Sequence, residues 1–257
     1  MPVILNPDSS VDLRWVMELK NPPALLLTVK DGTGQLVRDA KARLVGGGND
    51  KTLYTGRRSF SQTDWSGAQY DSQSGGISDN NPAGGIKMVD LGAGKYSTST
   101  EEWLISSTFD LGTSSTTFYD LSWNPAAQLP QTGADSLKFQ IASNNDNATW
   151  NFIGPDGTAG SFYSSSTVSV HSSHNNSRYV RYKVFMRTQD ENFTPSLEDI
   201  KLEFSSDCLS AGQAFFSGLG NGVYALTVEK SGYQSFSDVA VSISENWREY
   251  EAILTSQ

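Results

Sequence analysis

The chain has 257 residues, of which 37% are hydrophobic and 18% charged; 19 Lys and Arg against 28 Asp and Glu give a formal net charge of −9. The length allows one large domain or two ordinary ones, enough to bury a core without covalent staples, and the acidic balance argues against nucleic acid or an anionic membrane as the main partner. A single cysteine, Cys208, excludes an intramolecular disulfide and any Cys-rich metal site, and two histidines, His171 and His174, leave little room for a multi-His centre.

From the N-terminus, Met1-Pro2-Val3-Ile4-Leu5 lacks the basic region and apolar run of a signal peptide. Leu13, Val16 and Leu19 are spaced three apart, which predicts a short helix over Leu13 to Lys20, ended by Pro22-Pro23. The best apolar run, Ala24 to Val29, is far shorter than the ~20 residues of a membrane helix. Beyond it the period is two. Leu137, Phe139 and Ile141 alternate with Lys138 and Gln140, and Val180, Tyr182, Val184 and Met186 with Arg181 and Lys183. Ile200, Leu202 and Phe204 alternate with Lys201 and Glu203, and Tyr224, Leu226 and Val228 with Thr227 and Glu229. Each run predicts a strand with one face in a core and one in water. Turn signals separate them at Asp31-Gly32, Gly46-Gly47-Gly48, Pro155-Asp156-Gly157 and Gly220-Asn221-Gly222. The pattern predicts an all-β protein of sandwich or jelly-roll type.

Two fragments read as halves of one small module. The first runs Leu25-Leu26-Leu27-Thr28-Val29, Lys30-Asp31-Gly32-Thr33-Gly34, Ala40 to Leu44 and Thr63-Asp64-Trp65-Ser66-Gly67. The second runs Ala214-Phe215-Phe216-Ser217-Gly218-Leu219, Gly222 to Val228, Lys230-Ser231-Gly232-Tyr233 and a last strand near Tyr250 to Leu254. Placed end to end they resemble the carboxypeptidase-regulatory-like, prealbumin-type β-sandwich. The stretch between carries Ser107-Thr108-Phe109-Asp110, Arg178-Tyr179-Val180-Arg181 and Pro195-Ser196-Leu197-Glu198-Asp199-Ile200-Lys201-Leu202, and resembles a galactose-binding-like, discoidin-type jelly roll. The resemblance implies a small prealbumin-like β-sandwich interrupted by an inserted jelly roll. Its boundaries would be an N-terminal segment at 1–23, the first sandwich half at 24–69, the jelly roll at 70–207 and the second half at 208–257. The arrangement is similar to ectodomains of bacterial prepilin-like and adhesin-like surface proteins, although the N-terminal apolar helix of a prepilin is not present in this sequence.

The resemblance implies a non-enzymatic extracellular or cell-surface module for adhesion or carbohydrate recognition, with the jelly roll as binding head and a glycan or another surface protein as partner. The alternatives are a subunit of a pilus-like filament, which would form a homopolymer, and a glycoside hydrolase or its accessory domain. Sugars dock on aromatic faces flanked by hydrogen-bonding groups, so Trp150, Trp65, Trp103, Tyr163, Arg178 and Asn145 are the candidate ligand-binding residues, while Trp123 ends an alternating strand and reads as core. Calcium is the implied cofactor, with Asp79, Asn80 and Asp146 as candidate oxygen ligands; the competing reading makes these residues ordinary Asx turns. Asp64, Asp156, Asp190 and Glu191 stand in no glycosidase motif. His171 and His174 lie in a Ser-rich stretch without the Gly-x-Ser-x-Gly elbow of a hydrolase and read as a polar hairpin loop. Lys30 and Asn246 are placed where some surface modules carry a Lys–Asn isopeptide crosslink, and Asn147, Asn175 and Asn192 head glycosylation sequons.

Overall fold

The computed structural model describes residues 23–79, 84–244 and 247–257. The expected helix over Leu13 to Lys20, and the residues Asn80 and Asn246, lie outside the described residues. The architecture is all-β, and among the described residues the only helical elements are the single 3-10 turns Pro130–Thr132 and Ser172–His174.

The strands fall in three blocks along the chain. First come β1 (Ala24–Asp31), β2 (Lys41–Gly46) and β3 (Asn49–Tyr54). Then follow β4 (Arg58–Gln62), β5 (Tyr70–Gln73), β6 (Ile77–Ser78), β7 (Ile86–Met88), β8 (Glu102–Ser106), β9 (Phe109–Asp110), β10 (Thr116–Asn124), β11 (Leu137–Asn144), β12 (Val168–Ser169), β13 (Tyr179–Met186), β14 (Ser196–Leu197) and β15 (Asp199–Ser206). Last are β16 (Gln213–Phe216), β17 (Gly222–Glu229), β18 (Phe236–Ile243) and β19 (Trp247–Leu254).

Pairing respects the blocks. The first and last build an outer unit of two sheets, ordered β16-β1-β19 and β18-β17-β2-β3. Within it β1 runs antiparallel to β16 and parallel to β19 over its full length, Ala24 opposite Trp247 and Asp31 opposite Leu254. The middle block builds an inner unit of a four-stranded sheet, β12-β10-β15-β4, a sheet ordered β11-β13-β8-β5 with β9 also on β13, and a small sheet, β14-β7-β6. Each unit has its own apolar cluster. Leu25, Leu27, Leu44, Phe216, Tyr224, Leu226, Val228 and Leu254 lie in the outer one. Trp65, Leu104, Trp123, Phe139, Tyr182, Val184, Ile200 and Leu202 lie in the inner one. The alternating runs read from the sequence bury the faces that the pattern assigns to the core, and each buried face removes apolar area from water at roughly 25 cal/mol per Å².

The sheets divide upstream of residue 70. Arg58–Gln62 pairs with β15, Ile200 opposite Gln62 and Phe204 opposite Arg58, and Trp65 is buried in the inner cluster. Residues 58–69, expected in the first half of the outer sandwich, therefore belong to the inner unit. Phe60 stacks on Phe109 at 4.0 Å between ring centroids, and Trp65 Nε1 donates to the Tyr182 hydroxyl at 2.7 Å. That hydroxyl donates to Gln62 Oε1 at 2.6 Å, so one hydrogen-bonded chain ties β4 in one sheet to β13 in the other.

The crossing between units is tight. Gly56 sits at φ +74°, its N–H donates to the Gln213 carbonyl at 2.7 Å, and a Cβ on it would lie 2.7 Å from the Ala211 carbonyl oxygen. Gly67 has a similar φ of +65° but open space beside it. Gly67→Ala should therefore cost only the left-handed backbone, about 1 kcal/mol, while Gly56→Ala should lose at least about 2 kcal/mol. Urea midpoints of the two variants against the parent chain check this, and equal losses would contradict the crossing geometry.

Candidate functional site

Alternation puts Arg181, Lys183 and Phe185 of β13 on one face, opposite the buried Val180, Tyr182, Val184 and Met186. β11 brings Lys138 opposite Phe185 and Gln140 opposite Lys183, and β8 brings Trp103 opposite Phe185 and Ile105 opposite Lys183. The outer face of this sheet thus carries rings and cations in turn. Lys183 Nζ lies 4.6 Å from the Trp103 ring centroid and 4.8 Å from that of Phe185. Lys138 Nζ lies 4.0 Å from the centroid of Phe162, whose ring meets Phe185 edge-on at 5.2 Å. Arg181 lies over Trp150 at 4.4 Å. All of these side chains are half-buried: the rings shield the aliphatic stems and leave polar tips toward water.

Two of the three cations have carboxylate partners, Lys138 with Glu101 at 2.8 Å and Arg181 with Asp71 at 2.9 Å. Lys183 has none within 4 Å among the described residues, and partial burial pulls its ammonium below the ordinary lysine value. Arg181, Lys183 and Phe185 span roughly 13 Å along the strand at ~3.3 Å per residue, the reach of a short oligosaccharide.

The sequence-predicted ligand residues divide. Trp150 and Trp103 stand on this face. Trp65 and Tyr163 do not: both are fully buried, Trp65 bonded to Tyr182 and the Tyr163 hydroxyl accepting the His171 N–H at 3.1 Å. They are core residues with a satisfied polar tip, not rim residues. Arg178 is committed to Asp110 by two bonds, Nε to Oδ1 and Nη2 to Oδ2, each 2.8 Å, and this pairing, with a bond from the Gly112 N–H, holds the Asp110 carboxyl down to about 2. Asn145 bridges two loops, accepting from the Arg178 N–H and donating to the Asn176 carbonyl, both at 2.9 Å. Lys138, Phe162, Arg181, Lys183 and Phe185 are on the face but absent from the sequence-based set. For Arg181 and Lys183 the signal was the wet parity of the Tyr179–Met186 strand, which the alternation already marked.

Among the described residues no three His, Cys, Asp or Glu side chains converge. Asp146 uses both carboxylate oxygens on its own loop, Oδ1 accepting the Ala148 and Thr149 N–H groups and Oδ2 the Thr149 hydroxyl, which holds it down to about 2. A calcium ion would have to compete with those bonds. Asp79 is half-buried, and its neighbour Asn80 lies outside the described residues. Lys30 Nζ pairs with Glu251 on the adjacent β19. Asp64, Asp156 and Asp190 are all held below the usual carboxylate range by hydrogen bonds in their turns, from Ser66, Ser161 and Asn192 foremost, whereas a general acid needs the opposite shift.

His171 precedes a 3-10 turn and His174 ends it, where a hairpin loop was expected. His171 Nδ1 caps it by accepting the Ser173 N–H. His174 is buried, its Nδ1 is 2.9 Å from the Ser143 hydroxyl, and its Nε2 has no partner. Burial, with a lesser contribution from His171, pushes the imidazole down to about 4.

Compared with protein-family models, with curated proteins and with solved structures, the chain matches none. Its function is therefore read from its own geometry.

The unfolded chain protonates His174 near 6.5 and the folded chain near 4. Stability should therefore be complete above pH 6.5 and fall by about 3 kcal/mol as the pH drops toward 4. His174→Asn, which can keep the bond to Ser143, should flatten this slope. Urea unfolding at steps between pH 7 and 4 checks it, and an unchanged slope in the variant would place the titration elsewhere.

Proposed function

We propose that this chain is a non-enzymatic carbohydrate-recognition module of an extracellular or cell-surface protein. On this reading the inner unit is the inserted galactose-binding-like jelly roll and the outer unit the prealbumin-type sandwich that carries it. The observation that carries the proposal is the outer face of the β11-β13-β8-β5 sheet, where Trp103 and Trp150 alternate with Lys138, Lys183 and Arg181. Aromatic faces stack on the C–H faces of sugar rings, and ammonium and guanidinium groups hydrogen-bond to sugar oxygens. An open surface of strand residues, with Trp150 and Phe162 supplied by loops beside it, suits a polymer passing over it rather than a monosaccharide enclosed in a pocket. Lys183, the cation without a carboxylate partner on this face among the described residues, favours glycans that carry carboxylate or sulfate.

Asp64, Asp156 and Asp190, held below the usual carboxylate range by their own turns, support binding over glycoside hydrolysis. The two-sheet outer unit, with its first strand held between β16 and β19, supports a carrier role, because both ends of the block are locked into one body.

Affinity electrophoresis through gels containing polygalacturonate, a neutral galactan or a neutral glucan tests the proposal. The parent chain should be retarded by at least one of these polymers. Trp103→Ala should weaken that retardation about tenfold, the loss of one stacked ring worth ~1.4 kcal/mol, with an unchanged melting temperature. No retardation by any polymer, or equal retardation of parent and variant, would overturn it.

A further inference from the structure

A groove of about 650 Å³ runs along the junction of the two units, at the point where the chain crosses and returns. Its apolar lining includes Leu26 and Leu53, both half-buried, and Phe215, which is 47% exposed. Lys51, Arg57 and Arg58 also line it, Lys51 on the same face of β3 as Leu53, and no Asp or Glu lines the groove. Such a concentration of positive charge stands against the net −9 of the chain.

The three cations differ in availability. Arg57 is consumed by the junction, bonded to Asp39 at 2.8 Å, 3.5 Å from Glu203 and packed over the Tyr54 and Tyr119 rings. Lys51 donates one proton to the Ser217 carbonyl at 2.8 Å and keeps two N–H bonds to give. Arg58 is exposed, with its guanidinium 5.8 Å from the Phe204 ring centroid. Among the described residues neither Lys51 nor Arg58 has a carboxylate within 4 Å. The volume is that of a small-molecule site, and junctions between units are where such sites occur.

We propose that this groove binds a small amphipathic carboxylate, its apolar body laid on Phe215, Leu26 and Leu53 and its head directed to Arg58 and Lys51. The apolar side chains supply affinity by burying hydrocarbon, and the cations set the sign of the head group. The site is separate from the ring-and-cation face of the inner unit and does not depend on the carbohydrate reading.

Three probes with the same ten-carbon body and different heads test it by titration calorimetry on the full chain: decanoate, decanol and decyltrimethylammonium. Decanoate should bind at one saturable site, more tightly than decanol, with decyltrimethylammonium weakest, and should raise the melting temperature. Arg58→Gln should weaken decanoate about tenfold and leave decanol unchanged. Lys51→Met repeats the test should the first variant fold poorly, and Phe215→Ser should weaken decanoate and decanol alike. Absence of saturable decanoate binding, equal binding of the three heads, or decanoate affinity unmoved in both Arg58→Gln and Lys51→Met would overturn the proposal.

Discussion

The whole architecture hangs on a crossing only a few residues wide. The chain leaves the outer unit after β3 and comes back at β16, and the two passages touch. The Gly56 N–H donates to Gln213 and the Val29 N–H to Gly212, at 2.7 and 2.8 Å. Side chains are excluded there: a Cβ at Gly212 would sit 2.5 Å from the Val29 carbonyl oxygen, as one at Gly56 would crowd Ala211. Arg57 then fastens the two bodies together. Its guanidinium reaches Asp39 of the outer unit and Glu203 of the inner, and it packs over Tyr54 on one side and Tyr119 on the other. A partly buried cation shared by several carboxylates and rings is worth more than an exposed pair, because fewer waters compete for it.

Because exit and return coincide, the outer unit can close as though the middle block were a long loop. Its sheets take strands from both ends of the described chain, and the parallel β1–β19 pair locks the last strand against the first. The inner unit closes independently, through the Trp65–Tyr182–Gln62 chain between its sheets and a cluster running from Phe60 to Phe204. The wet face of β13 then carries rings and cations packed against one another.

Much of this was legible in the sequence. Period-two runs mark the buried faces of β11, β13, β15 and β17 because local alternation is enough to define a strand with one wet side. The entry to the inner unit was not legible. Arg58-Ser59-Phe60-Ser61-Gln62 has one apolar residue, and it becomes a strand through pairing with β15, far along the chain. Trp65 sits in a turn-like Thr-Asp-Trp-Ser-Gly context that suggests an exposed ring; only the partner Tyr182, brought by another sheet, explains its burial. At Asn144 to Thr149 composition shows oxygens, which suit a calcium ion or ordinary Asx turns alike, but not which backbone N–H groups already claim them. The binding face was half legible: parity exposed Arg181 and Lys183, while Lys138, Phe162 and Trp150 arrive from strands and loops whose register no local pattern reports.

Two cores, nested in sequence, fold around one crossing. The most direct test joins residue 56 to residue 212 through a two-residue turn, removing the middle block, and follows the product by far-ultraviolet circular dichroism during urea unfolding. A β-rich protein with a single cooperative transition is expected, because Gly56 and Gln213 are already hydrogen-bonded neighbours. An unfolded product, with no transition at any urea concentration, would contradict it.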